Sequence, residues 1–369
     1  MSAKEATPEL PSPIGHGFSA IVGQDVVVAA LQGAIGRGRL PHALLFVGPA
    51  GVGKATTALV LAQALNCPTS GPADACGECV SCTKILRGIH PDLLSVTPAP
   101  REIRIAWITP RRNPPRNAPP ESRTVTRFVG YKPFEGRRRV VVVDQAHTMN
   151  AEAQNALLKT LEEPPDSTIM ILTTSSPGAL LPTVRSRCQA LQFSPVGQAM
   201  IRDYLVDMLE MEPGEAELRA ALSPGSIGRA VDLDLDQYEE TLGTVVEALR
   251  MAQHGGGGVV TAAESLANAG SGETATQRAA SVLTVGRDVL RDLLVVTSGA
   301  DPESLVNAGQ LRAWESWAAE LEGRDVGGAL EALSTGIERL TTGIQPNIKL
   351  ALERTLIEVS DHLGGGTDS

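Results

Sequence analysis

The sequence has little of what several classes of protein require. No apolar run is long enough to span a bilayer, and no basic patch near the N-terminus leads into an apolar signal core, so the chain is expected in the cytoplasm. Positive charge is short overall: 32 Lys and Arg stand against 42 Asp and Glu, a net charge of −10, which argues against a protein that coats nucleic acid by itself. Cysteine is scarce, five in 369 residues. Without a signal peptide a disulfide framework is disfavoured. What remains is a globular class. The 42% of apolar residues is ample for a real core, and at about 150 residues per domain the length suggests two or three domains.

Residues 1–16 carry Pro8, Pro11, Pro13 and Gly15 and read as a flexible leader. Phe18 to Gln24 then precedes a helix-periodic segment, Asp25 to Ile35. A segment placed here either walls the base of a nucleotide or packs under a sheet. The chain is organised around Gly48-Pro49-Ala50-Gly51-Val52-Gly53-Lys54-Ala55, between the apolar run Ala43 to Val47 and the helical run that begins at Thr56. A short buried strand that ends in glycines and re-emerges as a helix is the layout of a phosphate-binding loop. Its glycines let backbone N–H groups converge on phosphates, its helix N-terminus adds partial positive charge, and its lysine reaches the outer phosphates. One atom is missing. Such loops place Ser or Thr after the lysine to hold Mg²⁺, and Ala55 has no hydroxyl, so metal-bound nucleotide is held less well unless Thr56 reaches in.

Four of the five cysteines, Cys67, Cys76, Cys79 and Cys82, are separated by eight, two and two residues. Two overlapping C-x-x-C steps with a fourth cysteine upstream make a tetrahedral Zn²⁺ shell. Four closed thiolates leave no open position, so the site reads as structural. Its expected task is to fold an excursion with few hydrophobic residues of its own. Cys188 reads as a packed thiol.

Leu93 to Val96 is a candidate second strand. From Thr97 to Gly130 seven prolines forbid a regular helix over most of the length, and an exposed, partly disordered basic loop is expected. Eleven basic residues between Arg101 and Arg139 face only Glu102, Glu121 and Glu135, either to meet nucleic acid or as a solvated face. Val140 to Val143 reads as a central parallel strand that closes on Asp144-Gln145-Ala146-His147. An Asp at such a strand tip completes a Mg²⁺ shell. ATPases of this layout follow it with Glu to polarise water. Gln145 keeps the shape but cannot take a proton, and general-base terms are worth about 10²–10⁴-fold, so intrinsic hydrolysis is expected to be slow or absent. Asn150 caps a helix that the pair Pro164-Pro165 stops. Ile169 to Leu172 is another buried strand, running into Thr173-Thr174-Ser175-Ser176, hydroxyls that either sense a γ-phosphate or make a polar turn.

Leu181-Pro182-Thr183-Val184-Arg185-Ser186-Arg187-Cys188 precedes a last strand, Ala190 to Phe193. Arginines on this turn are poorly placed for the chain's own phosphate loop and well placed to reach a neighbour, where an arginine in trans contributes about 10³–10⁵ in rate. From residue 196 onward strand signals fade into helical patterns, with Gly255 to Gly258 reading as a hinge. The C-terminal third reads as a helical bundle without a catalytic cluster, which suggests assembly.

Together these residues resemble the bacterial clamp-loader branch of the AAA+ ATPases. The resemblance is carried by Ile21-Val22-Gly23-Gln24, the phosphate loop, the four-cysteine insert, the stretch from Gln154 through Ala156-Leu157-Leu158-Lys159-Thr160-Leu161-Glu162-Glu163-Pro164-Pro165, and Arg185-Ser186-Arg187-Cys188. Arg291-Asp292-Leu293-Leu294 and Leu350-Ala351-Leu352-Glu353 are similar to that branch's collar. The likeness is nearly full length apart from the leader and the 97–130 loop, where relatives have a helix. It implies an α/β fold: an AAA+ parallel-sheet P-loop domain over 17–195 with a zinc insert (67–82) and a Pro/Arg-rich loop (97–130), a small helical lid over 196–250 and a C-terminal helical collar over 251–369.

The resemblance also implies a site. ATP or ADP would be held by Val22, Gly23, Gly48, Gly51, Val52, Gly53, Lys54, Thr56 and Asp144, with Thr174 at the first sensor and Arg229 at the second. Structural Zn²⁺ would sit on Cys67, Cys76, Cys79 and Cys82, and Arg187 would be offered to an adjacent ATPase subunit. In that family a ring of five subunits, with gamma/tau and delta as partners, opens a sliding clamp and places it on primed DNA. Two hydrolytic parts are altered here, at Ala55 and Gln145, while Arg187 is kept. That pattern fits the comparatively rigid member of the ring better than a motor subunit or a homo-oligomeric DNA-remodelling ATPase.

Overall fold

The computed structural model describes residues 16–71, 73–99, 102–115, 118–270, 272, 274–342 and 347–364. The expected leader, apart from residue 16, lies outside them, as do Arg101 and Arg116. The chain divides into two compact units, 1–231 and 232–369.

The first unit is built on five parallel strands, β1 (Ala43–Val47), β2 (Leu93–Val96), β3 (Arg139–Val143), β4 (Thr168–Thr174) and β5 (Gln189–Gln192), in the order β2-β3-β4-β1-β5. β3 and β4 are buried along their whole length. That is why their β-branched runs read as continuous rather than alternating: a parallel strand covered on both faces has no solvent side to mark with polar residues. The helices of this unit are α1 (Asp25–Gly36), α2 (Lys54–Asn66), α3 (Val80–Leu86), α4 (Ile105–Ile108), α5 (Val125–Val129), α6 (Ala151–Glu162), α7 (Pro182–Arg185), α8 (Gln198–Leu209), α9 (Pro213–Leu222) and α10 (Ile227–Asp232). Phe46, Leu61, Val140, Ile171 and Phe193 join one core on the α1 and α2 side of the sheet. Leu45, Val141, Leu157, Leu172 and Val184 join another on the α6 side. The Asn150 side chain caps α6 by accepting from the Ala153 N–H at 2.9 Å, and Ala153, Leu157 and Leu161 form its buried face.

The segment 97–130 departs from expectation. Its prolines do keep it from one long helix, and 111–115 and 120–123 are exposed, but its two ends are not: Ile103, Ile108, Val125, Phe128 and Val129 are buried in the α6-side core, and Ile103 exchanges backbone hydrogen bonds with Thr148 and Asn150. Apolar residues spaced between the prolines anchor it, a signal that the proline count obscures. Part of the basic run is absorbed internally. Arg104 pairs with Glu102 at 2.6 Å and Arg127 with Glu121 at 2.8 Å, and the buried Arg139 lies over the Phe128 ring at 4.5 Å while donating to the Phe128 and Lys132 carbonyls.

The second unit is helical: α11 (Leu235–Gln253), α12 (Gly257–Asn268), α13 (Ala275–Thr297), α14 (Leu311–Glu320), α15 (Val326–Thr342) and α16 (Ile348–Leu363). α13 packs on α15, and α11 packs on α12, α13 and α16. The boundary expected at 250 therefore falls near 231, and α11 belongs with the helical bundle. Its buried side chains, among them Tyr238, Leu242, Val245 and Leu249, find their partners there, which its own periodicity cannot announce. Gly255 and Gly256, with φ of 70° and 60°, turn the chain between α11 and α12, while Gly257 and Gly258 lie inside α12. Among the described residues no helix is long and apolar enough to cross a membrane.

Candidate nucleotide and metal sites

The phosphate loop leaves β1 at Val47, which is in register with Thr174 of β4. The Gly48 N–H donates to the Thr174 carbonyl at 3.1 Å. Gly51 and Gly53 take φ of 72° and 94°, the left-handed region that glycine enters without penalty, and Gly53 opens α2. Lys54 is 8% exposed and donates to the Gly48 and Pro49 carbonyls at 2.7 and 2.5 Å. Burial lowers its pKa, against the opposing pull of Asp144. Gln24 is a buried clamp that the sequence did not mark as a site residue. Its amide donates to the Ser194 and Val52 carbonyls at 2.8 and 3.3 Å and accepts from the Ser194 N–H at 3.1 Å, tying the Val22-Gly23 entry segment to the loop. Val22 packs among the α8 and α9 side chains, and Gly23 faces Val196.

β4 lies between β1 and β3, so its C-terminal tip faces both the lysine loop and Asp144. Val143 is in register with Leu172, which brings Thr173 level with Asp144. The Thr173 hydroxyl donates to Asp144 Oδ1 at 2.5 Å and accepts from the Gln145 N–H at 3.0 Å. It thereby supports Gln145 in a left-handed conformation, φ 50°, uncommon for a side chain other than Gly or Asn. Thr174, the residue expected at the first sensor, is buried; its hydroxyl accepts from the Ser176 N–H and shares a 3.3 Å hydrogen bond with His147 Nδ1. Burial, then the charge of Lys54, lowers the His147 pKa. Of the hydroxyls expected at this strand tip, Thr173 is the one that reaches Asp144: adjacent threonines look alike until the register assigns one of them to it.

Further positions bear on the expected Mg²⁺ shell. Ala55 is half-buried against the core. Thr57, two residues on, spends its hydroxyl on the Gly53 carbonyl at 2.8 Å, and Thr56 is half-buried on the same helix. Gln145 is exposed and supplies no carboxylate. The start of α10 rests directly on the loop, with the Gly228 N–H donating to the Gly51 carbonyl at 3.0 Å. Arg229, expected at the second sensor, is exposed, and its backbone N–H donates to Ser226 Oγ at 3.2 Å. Gly228 thus packs directly on the Gly51 backbone, with the arginine's own backbone N beside it. Arg187 lies just past α7, where its Nη1 donates to the Thr183 carbonyl at 2.9 Å and its Nη2 meets Glu162 Oε1 at 2.5 Å. Cys188 packs against the α6-side core, its thiol pushed up to about 11 by burial.

The four cysteines converge. Their sulfurs all lie within 4.8 Å of one another, with Cys67 at 3.6 Å from Cys76 and 4.0 Å from Cys79. Thiolates at about 2.3 Å from a tetrahedral Zn²⁺ stand about 3.8 Å apart, so the set fits that ion. The backbone N–H groups of Ser70, Cys79 and Cys82 donate to the sulfurs of Cys67, Cys76 and Cys79, the environment that stabilises thiolates. Burial pushes the Cys67 thiol up, but hydrogen bonds from Thr69 and Ser70 outweigh it and leave it lowered to about 5. The cluster does not stand outside the core. Cys67, Ala75, Cys82 and Ile85 are buried with α2, Gln63 donates to the Cys82 carbonyl at 3.0 Å, and Asp74 Oδ1 accepts from the Phe18 and Ala75 N–H groups.

Comparison with known proteins places this geometry. Residues 23–197 match the family described as DNA polymerase III, delta subunit. The tau subunit of DNA polymerase III from Escherichia coli (strain K12) is 34% identical over 221 residues, 58% of this chain and 32% of that protein. The delta' subunit from Pseudomonas aeruginosa is 37% identical over 218 residues, 58% of this chain and 62% of that protein. The matched span, residues 23–197, belongs to the clamp-loader AAA+ family. The chain spans about a third of the length of the E. coli tau relative and under two thirds of the delta' relative. A solved gamma subunit-related protein of Thermotoga maritima covers 91% of this chain and 99% of its own at 14% identity and a TM-score of 0.38, too distant to add to the strand order. The matched span contains the phosphate loop, the cysteine cluster, Asp144 and Arg187. α10 and the helical unit lie beyond it.

Proposed function

We propose that the chain is a delta-prime-type subunit of the DNA polymerase III clamp loader. In this reading it is the rigid, non-motor member of a hetero-pentameric ring with gamma/tau and delta subunits, working in the cytoplasm to load a sliding clamp on primed DNA. The observation that carries the reading is the division of the hydrolytic apparatus: Ala55 and Gln145 remove the Mg²⁺ hydroxyl and the water-activating carboxylate, while Arg187 remains at the surface. Loss of a general base removes about 10²–10⁴-fold, whereas an arginine supplied in trans contributes about 10³–10⁵. A subunit with this residue set gives more to a neighbour's site than to its own.

ATP or ADP would be held by Lys54 and the loop from Gly48 to Gly53, with Thr56, Asp144, Thr174 and Arg229 around it and Val22 and Gly23 at the base. Cys67, Cys76, Cys79 and Cys82 would hold a structural Zn²⁺, which when bound supplies a cross-link between the end of α2 and the start of α3. The tau relatives favour a second reading, a motor ATPase. Nucleotide binding and single-turnover ATP hydrolysis on the purified chain at several concentrations, with Lys54→Ala alongside, separate the two. The expected result is no turnover that depends on Lys54, with or without weak binding. Turnover lost in Lys54→Ala makes the chain a motor.

A further inference from the structure

Arg187 is not a free side chain, and the group that holds it is out of place by the rules of its own helix. Glu162 is the last residue of α6, where the helix dipole is negative and a carboxylate is disfavoured. A residue that breaks a local rule is expected where function asks for it. Its Oε1 meets Arg187 Nη2 at 2.5 Å, with the two side chains 48% and 34% exposed. Nη1 donates to the Thr183 carbonyl at 2.9 Å, so the guanidinium is held by a hydrogen bond on one side and an ion pair on the other. The two elements are also joined at their other ends, where buried Gln154 of α6 accepts from the Leu181 N–H at 2.7 Å just before α7.

We propose that Glu162 is a positioning residue for Arg187, fixing the guanidinium fork in the orientation in which it meets a phosphate on the neighbouring subunit. The inference rests on the trans-arginine reading above. Two effects compete: Glu162 aims the arginine, and Glu162 also neutralises it and could mask it. Magnitudes decide for aiming. An ion pair this exposed is weak, so a polyphosphate displaces or shares it at little cost, whereas misplacing a catalytic group by about 1 Å costs on the order of 10²-fold in rate. A fork already held also loses less side-chain freedom when it engages.

The test uses the assembled ring, in which this chain sits beside its motor ATPase neighbours, and measures ATP hydrolysis with Glu162→Ala, Glu162→Asp, Arg187→Ala and the double variant Glu162→Ala/Arg187→Ala. Glu162→Ala is expected to lower kcat about 10-fold with KM for ATP little changed. Glu162→Asp should recover part of the loss, and Glu162→Ala should add nothing in the Arg187→Ala background. Because the pair is exposed, the melting temperature and ring assembly should not move, which separates positioning from a structural role. An unchanged or raised kcat in Glu162→Ala, or an equal loss with Arg187 already removed, overturns the proposal. A hydrolysing ring indifferent to Arg187→Ala removes the trans-arginine reading itself, a failure distinguishable from the first because both arginine variants are then silent.

Discussion

Asp92 is fully buried and carries a negative charge among strands, yet it is well served. Its carboxylate accepts from the N–H groups of Phe134, Glu135 and Gly136 at 2.7–2.8 Å and lies 3.5 Å from Arg139 Nε. Asn66 does the same for Arg137 and Arg138, so two side chains fix the whole approach to β3, the strand that delivers Asp144. Burial pushes the Asp92 carboxyl up, but these hydrogen bonds and the Arg139 charge outweigh it and hold it below the ordinary carboxylate range. A folded-state pKa below the unfolded value of about 3.9 means stabilisation that is complete above that value and is lost as pH falls through the folded pKa. Asp92→Asn should therefore cost about 3 kcal/mol at neutral pH, because buried N–H groups lose a charged acceptor. The gap between variant and wild type should shrink as urea midpoints are taken from pH 6 toward pH 3. A gap that stays constant with pH would show that Asp92 acts by shape rather than by charge.

At the scale of elements, the seat of α10 on the phosphate loop makes the sharpest demand on sequence. A Cβ on Gly51 would stand 2.0 Å from Ser226 Oγ, at a φ of 72° that L side chains rarely adopt. Gly51→Ala should cost about 1–3 kcal/mol through that strain and should unseat α10, read as lost hydrogen-exchange protection over 226–232 while β1 and β3 stay protected. Protection unchanged at α10 would mean that the loop, not the helix, gives way. This seat was only half legible in the sequence. The loop, all five strands and the α6 cap could be read because each is a local signal: a β-branched run, a glycine pattern, an Asn before a helix. What escaped depends on register or on distant partners. Thr173 rather than Thr174 reaches Asp144 because of strand pairing. The Gly228 N–H donates to the Gly51 carbonyl because of helix phase. The apolar anchors of 97–130 are visible only once α6 and β3 offer them a surface, and the division between the units falls at 231 rather than 250 because the buried face of α11 finds its partners among helices far along the chain.

At the scale of the molecule, two units with separate cores should melt as two cooperative transitions, since each buries its own apolar faces: the sheet with its flanking helices in one, α11 to α16 in the other. The cysteine cluster gives a way to assign them. All four sulfurs belong to the first unit, and Cys67 and Cys82 lie in the same core as α2, whose opposite end carries Lys54. Metal bound to the folded state alone stabilises by mass action, and apparent Zn²⁺ binding to structural sites of this kind amounts to about 10–16 kcal/mol at neutral pH in small peptides. The purified chain should carry about one zinc per molecule. Removing it with a chelator, or replacing Cys82 with Ser, should lower one calorimetric transition by about 10 °C or more, given that 1 kcal/mol moves a domain of this size by about 2–4 °C. The other transition, that of the helical unit, should stay where it was. Because Lys54 and Cys67 sit at the two ends of α2, the same treatment should weaken whatever nucleotide binding the loop retains. Both transitions moving together would mean that the units unfold as one body, and neither moving would mean that hydrogen-bonded thiols alone hold the insert and that the cluster works without a metal.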